Sequence, residues 1–554
     1  MSNAGASCSS RPAAAVCTFQ VAPVFLCLLA CFAFIFPAKA ETRADIAAKN
    51  KILLIGNGAE PKTLDPQLAT GVLEYHVFTA LMEGLIANHP TDQSLPEPGL
   101  ADKWERNADA SEWTFHIRSN AKWSNGDPVK ASDFVFAYQR LLSPGLAAEY
   151  ADMLFILTGA ENYHKGRTTD FGTVGAKALD DHTLKLSFVG PTPYLLTALV
   201  HQAWYPLNPA TVLKFGKIDD RVSLWTRPEN YVGTGPFQLK EWKPNEIISV
   251  ERNPNYWDAA NVKLNGIEFY PIEDQNTEER AFRAGQLHKT NEVPLDKIPA
   301  YKRDNPGLIR TDPFFGIYYY HFNLTNPIFK DVRVRQALSL AIDRESIVEN
   351  ITRGGQQSAT GFTPAGMGAY KTPELVEYDP DKARELLKEA GYLDGKGFPK
   401  LDVLINTSEA NRTIAEAIQD MWKQELGISV GIRNEEWKVY LESRTNLHYQ
   451  ICRAAWIGGY IDPVAFLRIW TTDGSNNNSG WSNKEYDALI AESDRTSDPA
   501  KRFGILRKAE AILLADGPVA PIYWYTRVYL LGPHVVNWNP LVLDNHNYKY
   551  IDLK

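Results

Sequence analysis

The chain has 554 residues and a mildly acidic composition, with 66 Asp and Glu against 58 Lys and Arg and a formal net charge of −8 at pH 7. The sequence contains no run of Lys and Arg residues, so neither a nucleic acid nor an anionic membrane surface is expected as the partner. A chain of this length exceeds what one hydrophobic core supports, and two or more domains are expected.

The first 40 residues are predicted to be a cleaved export signal. An almost wholly apolar run covers residues 16–36, and Ala38 and Ala40 provide the small residues typical of a signal-peptidase site, so cleavage is expected after about Ala40. Two alternatives stay open. The run is about long enough for a retained membrane anchor, and the segment 28–31, which ends in Cys31, resembles a lipobox. The location predicted for the mature chain is the periplasm.

The number and positions of the cysteines agree with export of a large protein that needs no disulfide. Four of the five cysteines lie within the predicted signal, and only Cys452 would remain after processing. An oxidising compartment permits disulfides but does not require them in a chain of this size. No second apolar stretch approaches membrane-spanning length, so the mature part is expected to be soluble.

Strand and helix signals alternate along the mature chain. Residues 52–55 form a short apolar run closed by glycines, and residues 113–118 alternate with the period of a half-buried strand. A helix is predicted after Asp379, with Pro380 at its first position and Gly391 just past its end.

A β-α-β unit follows this helix. A strand is predicted at 401–405, a helix at 409–425 and a second strand at 428–432. Such units build open α/β sheets, whose ligands bind beyond the strand ends. The fold class predicted from these patterns is α/β.

The sequence lacks the local signatures of common enzymes. We find no nucleophile elbow, H-E-x-x-H motif, Walker A loop or paired C-x-x-C, and no two of the eleven histidines are four residues apart. A hydrolase stays possible, because a catalytic triad is assembled in space. The interpretation is a protein that is not an enzyme and uses no metal and no cofactor.

Several segments occur together in the order and spacing of one protein family. Most of them are structural: the segment 124–127 is a turn in which Gly126 takes a positive φ, and the spacing of residues 334, 338, 341 and 342 is a buried helix face. The segments are Leu64-Asp65-Pro66, 81–85, 113–118, 121–129, 133–135, 233–237, 252–257 and 329–338.

On these segments the chain resembles the bacterial extracellular solute-binding proteins of family 5, the oligopeptide-binding proteins of ABC importers. The resemblance covers essentially all of the mature chain. It implies a two-lobed periplasmic-binding-protein fold of type II, with an extra domain inserted in the first lobe and hinge closure around the ligand. The implied division is a signal peptide at 1–40, lobe I at 41–82, 209–316 and 527–554, an additional domain at 83–208, and lobe II at 317–526.

The resemblance also implies a function. The protein is expected to be the periplasmic binding component of an ABC importer, to bind a peptide or peptide-like solute in the interlobe cleft, and to work as a monomer with membrane permease and ATPase subunits. Two alternatives stay open: a binding protein for a non-peptide solute that lacks a free amine, and a ligand-dependent sensor.

By resemblance, an extended ligand pairs with backbone from both lobes, and two arginines hold its carboxylate. Guanidinium matches carboxylate geometry and does not lose its charge. Arg453 lies in an apolar run, so it is expected to need an anionic partner from ligand or protein. Where the family has a histidine, this chain has Asn411 and Arg412, and Arg412 is a further candidate. The backbone positions are Thr70, Gly71 and Val72 on one lobe and Ala455, Trp456 and Ile457 on the other, and the arginines are Arg444 and Arg453.

The chain departs from the family at Gly458-Gly459. An Asp that pairs with the ligand's α-ammonium typically occupies the position of Gly459, and a glycine cannot do this. Asp462 is either a displaced substitute or the N-cap of a helix beginning near Pro463. A ligand without a free ammonium is therefore favoured.

Aromatic side chains complete the candidate site. Tyr150 and His201 match cleft-side positions of the additional domain, although a structural role for His201 is equally expected. One tyrosine of the run 318–320 is expected to line the cleft, and alternation along a strand would place Tyr318 and Tyr320 on one face.

Overall fold

The computed structural model describes residues 41–554 except 94, 193, 365, 366 and 368. The predicted export signal, its cleavage site and the four N-terminal cysteines lie outside the described residues. Thr42–Lys554 form one compact unit. Within the described residues, no helix combines the length and the apolarity needed to cross a membrane.

Strands of the described chain belong to several sheets. They are β1 Ile52–Gly56, β2 Ile86–Asn88, β3 Pro96–Pro98, β4 Ala101–Arg106, β5 Glu112–Ile117, β6 Ala176–Ala178, β7 Thr183–Ser187, β8 Phe237–Lys243, β9 Ile247–Arg252, β10 Gly266–Tyr270, β11 Ile309–Phe322, β12 Gln357–Ser358, β13 Leu401–Asn406, β14 Val430–Glu435, β15 Ile451–Ile457, β16 Val519–Leu530, β17 Val535–Val536 and β18 Asp552–Leu553.

Helices cover these sheets and connect their strands. They are α1 Arg43–Lys49, α2 Val72–Leu81, α3 Ala131–Leu142, α4 Ala160–His164, α5 Leu195–Ala198, α6 Pro209–Lys214, α7 Gln275–Arg283, α8 Ile298–Asp304, α9 Val332–Leu340, α10 Arg344–Ser346, α11 Pro380–Glu389, α12 Glu409–Leu426, α13 Trp437–Thr445, α14 Val464–Leu467, α15 Lys484–Ser493 and α16 Pro499–Asp516.

Three sheets account for most of the architecture. The first has the order β1-β10-β9-β8, the second is the antiparallel sheet β4-β5-β7-β6, and the third has the order β12-β16-β11-β15-β13-β14. The predicted mixed α/β, two-lobed fold is confirmed. In β5 the apolar side chains Trp113, Phe115 and Ile117 are buried and alternate with less buried neighbours, as the period-two pattern predicts.

The predicted β-α-β unit is confirmed as β13-α12-β14. The two strands pair in parallel, from Leu401 opposite Val430 to Asn406 opposite Glu435. Helix α12 begins at a Ser408 cap and ends at Gly427 in the left-handed conformation. Its buried Trp422 donates a hydrogen bond from Nε1 to the carbonyl of Leu338 over 2.8 Å. The unit therefore packs against α9 behind the third sheet.

Local chemistry predicted two further features correctly. The Asp379 carboxylate caps α11 by accepting from the backbone N–H of Lys382 over 2.9 Å. Gly126 has φ +92° in the turn 124–127, where its N–H donates to the Trp123 carbonyl over 2.8 Å.

Two long antiparallel strands stand at the centre of the third sheet. Strands β11 and β16 pair along most of their length, from Ile309 opposite Leu530 to His321 opposite Val519, with two register shifts between. The predicted lobe boundaries at 316/317 and 526/527 fall inside these two strands. The residue limits of the domains stay a prediction.

A buried ion pair joins the N-terminal segment to α3. The Arg140 guanidinium donates to both oxygens of Asp65, over 2.6 and 3.2 Å, and to Gln67 Oε1 over 2.8 Å. Arg140 and Asp65 are almost fully buried. Removing one member would therefore leave the other charge buried and unpaired.

We expect Asp65→Ala to lower the free energy of unfolding by about 3–5 kcal/mol, the usual effect of breaking a buried pair. Urea denaturation measures this change. The control is Asp304→Ala, which removes an exposed pair with Arg303 and should leave the urea midpoint unchanged. Equal midpoints for Asp65→Ala and the wild type would contradict a stabilising role for the pair.

Candidate functional site

A cavity of about 140 Å³ lies between the end of β15, the start of α2, helix α13 and two loops of the segment 83–208. A second cavity of about 220 Å³ adjoins it and contains Arg453. Both share Val72, Trp437, Ala455 and Ile457. The first cavity is lined by Thr70, Gly71, Val72, Tyr75, Tyr150, His201, Gln202, Trp437, Leu441, Arg444, Ala455, Trp456, Ile457, Gly458, Gly459, Asn476, Leu543 and Asn545.

Strand β15 presents a free backbone edge to these cavities. Its whole length pairs with β11, and the N–H of Gly458 continues this ladder by donating to the Phe315 carbonyl over 2.8 Å. Because N–H direction alternates along an antiparallel strand, the polar groups of Ala455 and Ile457 point to the opposite edge. On that edge β13 reaches only Ile451 and Cys452. In the described chain, no strand pairs there with residues 455–457.

The opposite wall is the start of α2. Gly71 is its N-cap and supplies no side-chain cap. A Cβ on Gly71 would lie 2.0 Å from Glu74 Oε2 and 3.4 Å from the Trp437 ring, so a larger residue here would have to displace the Glu74 carboxyl group. The Tyr150 hydroxyl donates to the Thr70 carbonyl over 3.1 Å. The sequence predicts this segment as a ligand contact, and the structure places all of 70–72 in the cavity wall.

Arg444 and Arg453 lie in adjacent cavities. Arg444 extends from the last turn of α13, and among the described residues its guanidinium has no hydrogen bond or ion pair; its carbon atom lies 5.9 Å from the Tyr440 ring. Arg453 donates to Asn406 Oδ1 over 3.0 Å and to the Tyr525 hydroxyl over 2.8 Å, and it lies over the Tyr318 ring. The partners of Arg453 are neutral, and Arg444 forms no ion pair in the described chain, although the carboxylate of Glu149 lies near enough to interact with it electrostatically.

His201 fills the space beside Gly459. Its Nδ1 accepts the backbone N–H of Ala203 over 3.2 Å, so the ring proton is on Nε2. Burial lowers the pKa of His201 to about 3, and the ring is neutral at physiological pH. The edge of Tyr150 packs on it with ring centroids 4.7 Å apart. A Cβ on Gly459 would lie 2.6 Å from His201 Cδ2 and 3.3 Å from Nε2.

Asp462 does not face the ligand cavity. Its carboxylate makes a two-pronged ion pair with Arg502, over 2.7 and 2.8 Å, and also accepts the backbone N–H of Val464 over 2.9 Å. Both members of the pair are buried. The prediction that Asp462 is a displaced ligand contact is wrong, because an arginine from α16 and the start of α14 occupy both of its oxygens.

Arg412, Tyr318 and Tyr320 also lie outside the cavity walls. Arg412 is exposed on α12, whereas its neighbour Asn411 lines the second cavity. Tyr318 and Tyr320 are fully buried in one hydrophobic cluster, while Tyr319 is in another. The predicted alternation is confirmed, but the expectation that one of these tyrosines lines the cleft is wrong, because both faces of β11 are covered by core.

Several cavity residues carry no signal in the sequence. Trp437 is the first residue of α13 and stacks on Tyr440 with centroids 5.6 Å apart. Asn476 belongs to a run of three asparagines that reads only as a polar loop, yet its Nδ2 donates to the Glu149 carbonyl over 2.8 Å. The other residues of the first cavity that the sequence did not indicate are Tyr75, Gln202, Leu441, Leu543 and Asn545. No group of three potential metal ligands occurs within the described residues.

An open backbone edge and two guanidinium groups without an ion pair in the described chain, held in a cleft of a two-lobed fold, define a protein that binds a solute between its lobes. The chain belongs to the Bacterial extracellular solute-binding proteins, family 5 Middle, whose family model matches residues 96–478.

Relatives match over nearly the whole chain. The periplasmic oligopeptide-binding protein OppA of Salmonella typhimurium is 37% identical over 514 residues, which is 90% of this chain and 92% of that protein. The crystal structure of Haemophilus influenzae OppA in complex with RPPGFSPFR has a TM-score of 0.86 at 34% identity, covering 91% of this chain and 99% of that one.

A third relative is known in two forms. The Escherichia coli murein tripeptide-binding protein MppA matches with a TM-score of 0.85, at 34% identity over 91% of this chain and 99% of that chain. The unliganded open form of MppA matches over 91% and 98% of the two chains at the same identity, with a TM-score of only 0.63. The structure described here is therefore unlike the open form.

We expect NMR of ¹⁵N-histidine-labelled protein to show His201 as a neutral ring protonated at Nε2. Because burial lowers its pKa to about 3, its signals should not shift between pH 8 and pH 5, whereas an ordinary histidine titrates near 6.5. His201→Asn provides the assignment. A titration midpoint near pH 6, or a proton on Nδ1, would contradict the described hydrogen bond.

Proposed function

We propose that this protein is the exported solute-binding component of an ABC importer and that it binds a peptide or peptide-like solute between its lobes without chemical turnover. The observation that carries the proposal is the free edge of β15 in the cleft. Removal of residues 1–40 would deliver the chain to the periplasm, where a membrane permease with its ATPase subunits would receive the solute from the monomer.

Backbone recognition explains why such a site suits peptides. An extended peptide that adds as a strand to the edge at Ala455 and Ile457 would satisfy polar groups that otherwise lack partners. Main-chain hydrogen bonds do not depend on the identity of the ligand's side chains. The two adjoining cavities, of about 140 and 220 Å³, would accommodate side chains of varied shape. The complex of Haemophilus influenzae OppA with RPPGFSPFR supports this class of ligand.

Charge supports the same assignment. Two guanidinium groups that form no ion pair within the described chain lie along one cleft, and a buried charge is stabilised by an opposite charge from the ligand. We propose that Arg444 and Arg453 bind acidic groups of the solute, the terminal carboxylate among them. Asn406 and Tyr525 would orient Arg453 without neutralising it.

We expect Arg444→Ala or Arg453→Ala to weaken binding of a peptide ligand by about 2 kcal/mol or more, because a desolvated charge-assisted pair is lost. Isothermal titration calorimetry measures the change. Arg412→Ala is the matched control, since Arg412 is exposed on α12 outside both cavities. If neither cavity variant binds more weakly than the control, the two arginines do not hold the solute.

Hinge closure should accompany binding. The described structure matches one MppA structure far better than the open, unliganded MppA, so a more open state is expected without solute. Small-angle scattering should give a smaller radius of gyration after a confirmed peptide ligand is added to ligand-free protein. Identical profiles with and without bound ligand would count against closure.

A further inference from the structure

The first cavity, of about 140 Å³, presents hydrogen-bond donors and positive charge. Arg444 is the only charged side chain among its described lining residues. Nε2–H of His201 is a second donor, and no described residue accepts from it. The start of the ten-residue helix α2 has no side-chain cap from Gly71 and adds backbone N–H groups, one of which the Glu74 carboxyl group of the first turn accepts.

No carboxylate lines this cavity in the described chain. Asp462 forms an ion pair with Arg502. At Gly459, the imidazole of His201 occupies the space that a side chain would need. Three carboxyl groups lie beyond the lining, and one of them, the half-buried Glu149, interacts electrostatically with Arg444 and Tyr150. Glu74 lies behind Gly71, and Asp152 lines a small adjoining recess of about 30 Å³ together with Arg468. A primary ammonium group placed in the cavity would lose its water without gaining a counter-charge from the lining.

The tautomer of His201 decides what the cavity can accept. Because Nδ1 is occupied by the Ala203 N–H, only Nε2 is left for a ligand, and it carries a proton. An ammonium group has donors alone and cannot pair with this N–H, whereas a carbonyl oxygen can. The Asn476 Oδ1 atom of the lining is buried without a partner, and an amide N–H would satisfy it.

We propose that His201 and Gly459 together select solutes whose amino end is blocked, with an acyl carbonyl in place of a free ammonium group. The acyl oxygen accepts from His201 Nε2–H. This inference rests on the proposed function, because it assumes that the solute is a peptide or a peptide-like molecule.

Matched peptide pairs test the inference. Free and N-acetylated forms of the same sequences are compared by calorimetry on wild-type protein, His201→Asn and His201→Gln. The acetylated form should bind wild type about tenfold or more tightly than the free form. His201→Asn keeps an acceptor at the Nδ1 position but loses the Nε2 donor. The ratio of the affinities for the acetylated and the free peptide should therefore fall to about a tenth of its wild-type value. His201→Gln loses that acceptor but keeps an N–H near Nε2, so much of the preference should remain.

Each contrary outcome has a distinct meaning. Tighter binding of free amines by the wild type would overturn the inference and leave the proposed function intact. If Asp152→Asn, Glu74→Gln or Glu149→Gln then abolished that preference, the replaced carboxylate would be the counter-charge. Binding of neither form, in a panel that covers several lengths, would refute the proposed function itself.

Discussion

Backbone polar groups in a closed cleft must find hydrogen-bond partners, and this constraint shapes the site around β15. Strand β11 pairs along one whole edge of β15, while β13 leaves the other edge after Cys452. The groups of Ala455 and Ile457 therefore face the cleft with no strand of the described protein beside them. A solute that supplies a strand-like backbone completes the sheet, which makes the ligand a structural element of the closed form.

The charged groups of the cleft also lack a full set of partners within the described protein. Arg453 is held by an amide, a hydroxyl and an aromatic ring, and none of these cancels its charge. An aspartate in any of these places would have formed a self-contained ion pair, as Asp462 does with Arg502. Neutral support keeps the guanidinium oriented and leaves its charge for the solute. His201 is also held without being charged, through a single backbone N–H.

Local patterns in the sequence predict most of the fold. Strand β5, the capped helix α11 and the β13-α12-β14 unit were predictable because their periodicity and caps lie within a few residues of one another. The motif match likewise placed Arg444, Arg453, Tyr150 and His201, all of which the structure brings to the two cavities.

Contacts between distant parts of the chain could not be predicted in this way. The sequence leaves two roles open for Asp462, because Arg502, which binds its carboxylate, comes from a separate helix. Trp437 reaches the cavity from the first turn of α13, where an aromatic residue has no periodic signal. Alternation separates Tyr319 from Tyr318 and Tyr320, but it does not say that hydrophobic core covers both faces of the strand.

Cys452 gives this chain a practical property. It lies fully buried in β15, and burial raises the pKa of its thiol to about 12, so little reactive thiolate forms at neutral pH. In a chain that begins at Glu41 it is also the only cysteine. Two cysteines introduced on exposed positions, one near the first sheet and one near the third, would thus accept fluorescent dyes without competition from the native thiol. The separation of such dyes would report on the cleft in single molecules, with no native residue to remove first.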